Sequence, residues 1–227
     1  METEIKLNTN HMEHPEQMLE DTWLSALCMP GSVRVIEMDS RYFDTSDAQL
    51  RNQNVSLRMR QENDVQIVTI KAGSTSNSGL HQRMEWSAVL PPEQSDWLDD
   101  PHKGFDTDWF MRTAVSEGDP DDLLFDWLRQ IAGKPLCELC RVTFTRIACD
   151  IGFGDTLMEL AIDQGFLIAD QQQKPVSELE LELKEGDARD LMALGDELQR
   201  RFHLALESKS KLERCLILNE RGTSDVG

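Results

Sequence analysis

Polar and apolar residues alternate along most of this chain, a period of two that predicts half-buried strands. In the opening segment Thr3, Ile5 and Leu7 fall on one face, and Glu2, Glu4 and Lys6 on the other. Three further runs, VRVIEMDSRYFDT, VSLRMRQEN and VQIVTIK, read as strands bounded by turn residues. AGSTSNSGL reads as a Gly/Ser loop, followed by a strand over about 80–90. Later strands are predicted near 136–150, 156–163 and 176–184. A period of 3.6 predicts helices over 15–28, 121–131 and 187–202. The first places Leu19, Trp23 and Leu27 on one side, and the last Leu191, Leu194, Leu198 and Phe202. The acidic, proline-containing stretch PPEQSDWLDDPHKGFDTDW predicts an insertion or external cap, and RGTSDVG a frayed tail.

The polar strand faces differ in sign. Ser56, Arg58 and Arg60 share one face, and Lys71 ends a strand on the face of Thr69. His81, Arg83 and Glu85 alternate with Gln82, Met84 and Trp86. Glu159, Ala161 and Asp163 alternate with Met158, Leu160 and Ile162, and in SELELELK the polar face is Glu178, Glu180, Glu182 and Lys184. A sheet with one wet face accounts for alternation in any single strand. It does not account for acidic residues on some strands and basic residues on others. Guanidinium forks match phosphate oxygens, and paired carboxylates suit a hard divalent cation. A barrel with its polar face inward and helices over its apolar outer face would bring both sets together.

Composition narrows the picture. A chain of 227 residues, 39% hydrophobic and 29% charged, is ordinary for one globular domain. A formal charge of -19 opposes nonspecific binding to nucleic acid or an anionic membrane. No apolar run approaches the roughly 18 residues of a membrane span, and the charged start lacks a signal peptide's apolar stretch. Five cysteines, an odd number, point away from a disulfide framework and towards a reducing cytoplasm. Cys137 and Cys140 form a lone CxxC, read as buried thiols. His11 and His14 read as solvated, His81 as structural, and Tyr42 and Asp44 as packing and turn residues.

In order, the motifs E-x-E-x-K (Glu2 to Lys6), YFDT with Leu50-Arg51, LRMR, TIK, LHQRMEW, MELAIDQG, SELELELK and a terminal SK resemble the CYTH family, the triphosphate tunnel metalloenzymes. E-x-E-x-K alone is weak; the ordered series, running from Glu2 to about Leu218, is specific. GLHQR-x-E, ELAIDQG and ELELELK are most similar to the family's bacterial inorganic triphosphatases, some of which carry an added helical C-terminal domain not expected here. The resemblance implies an α+β fold: an eight-stranded antiparallel β-barrel, the tunnel, with helices packed outside, in a single domain over 1–218 followed by a tail over 219–227. It implies Mg²⁺ or Mn²⁺ on Glu2, Glu4 and the carboxylates of SELELELK, with Glu178 and Glu180 favoured, Glu182 open, and Asp163 as a further contact. Lys6, Arg58, Arg60, Lys71, Arg83, Arg141 and Lys211 would contact phosphate oxygens. Glu2, Glu4, Lys6, Arg58, Arg60 and Lys71 would carry catalysis, and Glu85 and Glu159 complete the acidic wall. The expected reaction is hydrolysis of inorganic triphosphate to pyrophosphate and phosphate by a cytoplasmic monomer or homodimer. A class IV type adenylyl cyclase, a thiamine-triphosphate hydrolase, or a noncatalytic polyphosphate- or nucleotide-binding module are the alternatives.

Overall fold

The computed structural model describes residues 2–77, 80–98, 100, 103–116 and 122–224. Its strands are β1 (Glu2–Asn8), β2 (Arg34–Thr45), β3 (Val55–Glu62), β4 (Val65–Asn77), β5 (Leu80–Val89), β6 (Val115–Ser116), β7 (Leu136–Phe153), β8 (Thr156–Ala169), β9 (Gln172–Glu185) and β10 (Ala205–Leu206). Eight of them, in the order β1-β9-β8-β7-β2-β3-β4-β5, form an antiparallel barrel that closes by pairing β5 with β1. Closure leaves no long unpaired edge; β6 extends β5, and β10 continues the ladder on β1 below β5. Since neighbours are antiparallel, β1, β2, β4 and β8 start at one rim, and β3, β5, β7 and β9 start at the other.

The apolar strand faces point outward and are covered. Over β1, β8 and β9 lies α4 (Ala188–Phe202), whose Leu191, Leu194 and Leu198 pack on Ile5, Leu7, Leu160, Leu179 and Leu181. Burial of each such leucine contributes about 1.5–3 kcal/mol. Gly195 permits the close approach, since a Cβ there would meet Ile5 at 2.7 Å. Over β3–β5 the segment after β5, with α2 (Thr107–Thr113) and α3 (Asp122–Ile131), brings an aromatic cluster of Trp97, Phe105, Trp109, Phe110 and Trp127 onto Phe43 and Trp86. Edge-on ring contacts at 5.0–6.2 Å hold it together. The segment is thus an external cap with a core of its own.

Local differences from the sequence reading have local causes. The helix expected over 15–28 is two pieces, a 3₁₀ turn Pro15–Glu20 and α1 (Thr22–Leu27). Asp21 is extended between them, and its carboxylate accepts from the amides of Trp23 and Leu24, so it caps a new helix. The expected loop at 72–80 is ladder through Asn77, with a bulge at Gly73, φ +60°. An unexpected helix, α5 (Lys211–Ser224), occupies most of the expected tail. Residues 78–79 of that loop, 99, 101–102 and 117–120 of the cap, the first residue of the helix expected over 121–131, and 225–227 of the tail lie outside the described residues. Among the described residues, no helix is long and apolar enough to cross a membrane.

Candidate functional site

Register decides what the barrel holds. On β1, β9 and β8, Glu4 lies opposite Glu182, and Glu182 opposite Glu159, a row of three carboxylates. One step along, Lys6 lies opposite Glu180 and Glu180 opposite Ala161; one step further, Asn8, Glu178, Asp163 and Arg146 follow each other across four strands. Directly opposed side chains stand about 4.5–5.5 Å apart at Cβ, where like charges repel. Lysines relieve that repulsion. Lys6 Nζ donates to Glu4 at 2.8 Å and Glu180 at 2.5 Å. Lys71 reaches Glu2 at 2.6 Å and Glu85 at 2.8 Å, and Lys184 reaches Glu182 at 2.9 Å.

Deeper in this wall the ion pairing is complete. Arg146 makes a two-pronged contact with Asp163, at 2.7 and 2.8 Å, and donates to Glu180 at 2.5 Å. Lys211 donates to Asp163 at 2.7 Å, to Glu180 at 3.0 Å and to Glu178, which also pairs with Arg214. Burial pushes the carboxyls of Glu180 and Asp163 up, but these cations outweigh it and hold both below the ordinary range, Glu180 well below. Glu4 is also lowered, burial being outweighed by Lys6. Glu2 and Glu182 go the other way. Burial dominates, neighbouring carboxylates add to it, and both are raised.

The opposite wall is basic and short of anions. On β3, Arg58 and Arg60 share the inward face with Thr69 of β4 and Ser40 and Tyr42 of β2. Arg60 donates to Ser40 Oγ at 2.9 Å and lies 3.4 Å from Glu62. Burial, then Arg58 and Arg146, lower its pKa to about 10. The Nε atoms of Arg58 and Arg83 are buried without a hydrogen-bond partner. Arg60, Arg146 and Lys211 also stand 4.9–5.8 Å from the ring centre of Phe144. Gly165 sits opposite Phe144, and a Cβ there would meet Thr143 O at 2.0 Å. The two walls enclose a cavity of about 700 Å³.

Helix α5 closes part of the second rim. Leu212, Cys215 and Leu218 pack on the inward-facing Cys140, Val142, Phe144, Leu167 and Val176, while Lys211 and Leu216 face the cavity. Its start is a reciprocal capping box: the Ser210 amide donates to Glu213 at 2.6 Å, and the Glu213 amide to Ser210 Oγ at 3.1 Å. The S-K-L-E spacing was the sequence signal for this helix.

The structure therefore brings Glu2, Glu4, Lys6, Arg58, Arg60, Lys71, Arg83, Glu85, Glu159, Glu180, Glu182 and Lys211 to one cavity. It corrects the placement of Arg141. That residue is exposed and pairs with Asp39 outside the barrel. Arg146 faces inward instead: it shares parity with Val142 and Phe144, whereas it stands five positions from Arg141, an odd step that puts the two on opposite faces. A charge placed at the parity of Val142, Phe144 and Ala148 was the missed signal. Tyr42, read as packing, lines the cavity opposite Arg58 on β3. Asp163, Glu178 and Glu180 offer oxygens within 4.8 Å of one another, but the Lys211 ammonium already holds that space. Glu2, Glu4 and Glu182 line the cavity as well, paired with Lys71, Lys6 and Lys184. Cys137 is exposed and Cys140 buried, with no third ligand converging on them among the described residues.

Comparison with known proteins agrees with this architecture. An inorganic triphosphatase of Haemophilus influenzae is 27% identical over 184 residues, which is 81% of this chain and 46% of that protein. The chain thus spans about half the length of this curated relative. Among solved structures, HpAC1 of Hippeastrum, described as a proposed adenylyl cyclase with a dominant triphosphatase activity, superposes with a TM-score of 0.61 at 17% identity, covering 95% of each chain. A proposed adenylate cyclase of Bacillus halodurans gives 0.57 at 16%, covering 94% of this chain and 96% of its own. At such identities these two show the shared fold. The CYTH domain matches residues 1–216, the whole barrel and the start of α5, and the chain belongs to the CYTH family.

Proposed function

We propose that the chain hydrolyses inorganic triphosphate to pyrophosphate and phosphate within the barrel, using Mg²⁺ or Mn²⁺. One observation carries the reading: a basic wall, in which the buried Nε atoms of Arg58 and Arg83 have no hydrogen-bond partner, faces across one cavity the carboxylate row Glu4, Glu182 and Glu159, each member held by a single close cation, Lys6, Lys184 and Arg34 in turn. The activity of the Haemophilus relative supports it.

Phosphoryl transfer asks the protein chiefly for positioning and charge neutralisation. Arg58, Arg60 and Arg83 bind the phosphate oxygens, Arg146 adds positive charge from the facing wall while its fork stays on Asp163, and Lys6 and Lys71 supply point charges beside the acidic row. Glu2, Glu4 and Glu182 would hold the divalent cation. Their hard oxygen donors fit it, and it would offset charge on the phosphoryl oxygens when bound. Glu159, at the end of the row, accepts a hydrogen bond from the attacking water and orients it. Lys211, Asp163, Glu178 and Arg214 hold this wall in shape. A module that only binds polyphosphate would need the arginines but not a costly row of carboxylates.

Phosphate release from inorganic triphosphate, ATP and thiamine triphosphate, with Mg²⁺, Mn²⁺ or EDTA, tests the proposal. Metal-dependent turnover of triphosphate is expected. Tight binding without turnover would make the barrel a binding module, and cyclic AMP from ATP would make it a cyclase.

A further inference from the structure

Cys28, at the end of α1, and Cys149, on β7, are 121 residues apart in sequence, yet their sulfurs lie 3.1 Å apart. The backbone already holds the two segments in register. Cys28 bridges to Ile151, the Met29 amide donates to Asp150 O at 2.8 Å, and the Asp150 amide to Ser32 Oγ at 3.0 Å. A disulfide of about 2.05 Å therefore needs only side-chain movement. The two thiols differ in access: Cys28 is partly exposed, whereas Cys149 is fully buried. Burial, then the hydrogen bond to Cys28, raise the Cys149 thiol, so the inner sulfur keeps its proton. An accessible attacking thiol beside a buried resolving thiol is the arrangement that oxidises reversibly.

We propose that Cys28 and Cys149 are a modification site, an oxidisable pair that a peroxide converts to a disulfide. The Cys28 thiolate attacks one peroxide oxygen, the O–O bond breaks, and the other oxygen leaves as water after taking a proton, giving a sulfenic acid. The Cys149 sulfur then attacks the Cys28 sulfur; the S–O bond breaks, and the hydroxyl leaves as water with the Cys149 proton. In sum, two thiols lose two hydrogens and one peroxide becomes two waters. The closed loop contains β2 to most of β7, and with them Arg58, Arg60, Lys71, Arg83 and Arg146, so the crosslink encloses the whole basic wall. Cys140 and Cys215 also adjoin, but both are buried, which makes them an internal control.

The test uses the full chain with Cys137→Ser, which removes the exposed thiol. After hydrogen peroxide treatment, peptide mapping by mass spectrometry is expected to show a 28–149 crosslink. Two titratable thiols should be lost and recovered with dithiothreitol, and Tm should rise by about 5–10 °C. Adding Cys28→Ser, at a partly exposed position that tolerates a hydroxyl, should abolish the crosslink and the Tm shift together. The proposal is overturned if Cys28 goes to sulfinic acid without crosslinking, if the bridge forms between Cys140 and Cys215 instead, or if all four thiols survive.

Discussion

On the wall of β1, β8 and β9, Glu4, Glu180 and Asp163 each sit below the ordinary carboxylate range, because lysine and arginine partners outweigh burial. On the wall of β3, Arg60 is pushed down to about 10, because burial and its neighbours Arg58 and Arg146 all oppose its charge. The same barrel thus contains a charge network that is satisfied by the chain itself and one that is not. The first stabilises the fold, whereas the second stores an unmet demand for an anion. A site that binds a polyanion and a cation together has to leave some of its charge unpaired until they arrive, at a cost in stability.

The largest effect expected is on turnover. Arg58→Ala should lower kcat for triphosphate about 10²–10³-fold, the usual loss when one preorganised donor is removed. Glu4→Ala should cost as much and remove the dependence on divalent cation. Turnover within tenfold of the parent for both would mean that neither wall takes part in the chemistry.

Stability should separate the walls next. Lys211→Met leaves Asp163, Glu178 and Glu180 short of one cation and should cost about 3–5 kcal/mol, a fall in Tm of roughly 10 °C. Arg60→Met, which removes an opposed buried charge while keeping the stem, should instead raise the stability of the free protein by about 1 kcal/mol and weaken triphosphate binding. Urea melts of both variants would decide this; destabilisation of equal size by both would erase the contrast.

The walls should also respond to opposite ends of the pH scale. The folded-state pKa of Asp163 lies below its unfolded value of about 4. Its stabilisation is therefore present above that value and lost as pH falls through the depressed one, visible as a falling urea midpoint below pH 4. Arg60 behaves in reverse, with a folded value of about 10, below that of a free guanidinium. The folded state releases its proton first, so this group adds stability as pH rises from about 10 towards 12. Over the same range triphosphate affinity, measured by calorimetry, should fall by up to about tenfold per pH unit. An affinity flat to pH 11 would exclude Arg60 from the anion site.

The smallest effect belongs to Arg141→Ala. Its pair with Asp39 is exposed, so stability should change by less than about 1 kcal/mol and turnover by less than twofold. A large loss would return Arg141 to the site.

Much of this was legible in sequence because strand alternation is local. The parity of Glu2, Glu4 and Lys6, of Arg58 and Arg60, and of Glu178, Glu180 and Glu182 is fixed by the backbone period alone. Helix α4 was legible because four apolar side chains recur at its period. Helix α5 was not, since its packing face joins Cys215 to leucines and its start is announced only by Ser210 and Glu213.

Alternation in the chain by itself determined that one face of each strand is charged and that acidic and basic strands are distinct, since both follow from covalent order. Only the tertiary structure decided which of three equivalent glutamates on β9 meets Glu4, that Lys211 fills the space between Asp163, Glu178 and Glu180, and that Arg146 rather than Arg141 enters the barrel. Those outcomes depend on register between strands far apart in sequence, on a bulge between Tyr42 and Phe43, and on where a terminal helix docks. None of these leaves a local periodic trace, because register is set by closing the barrel and burying its outer face as a whole.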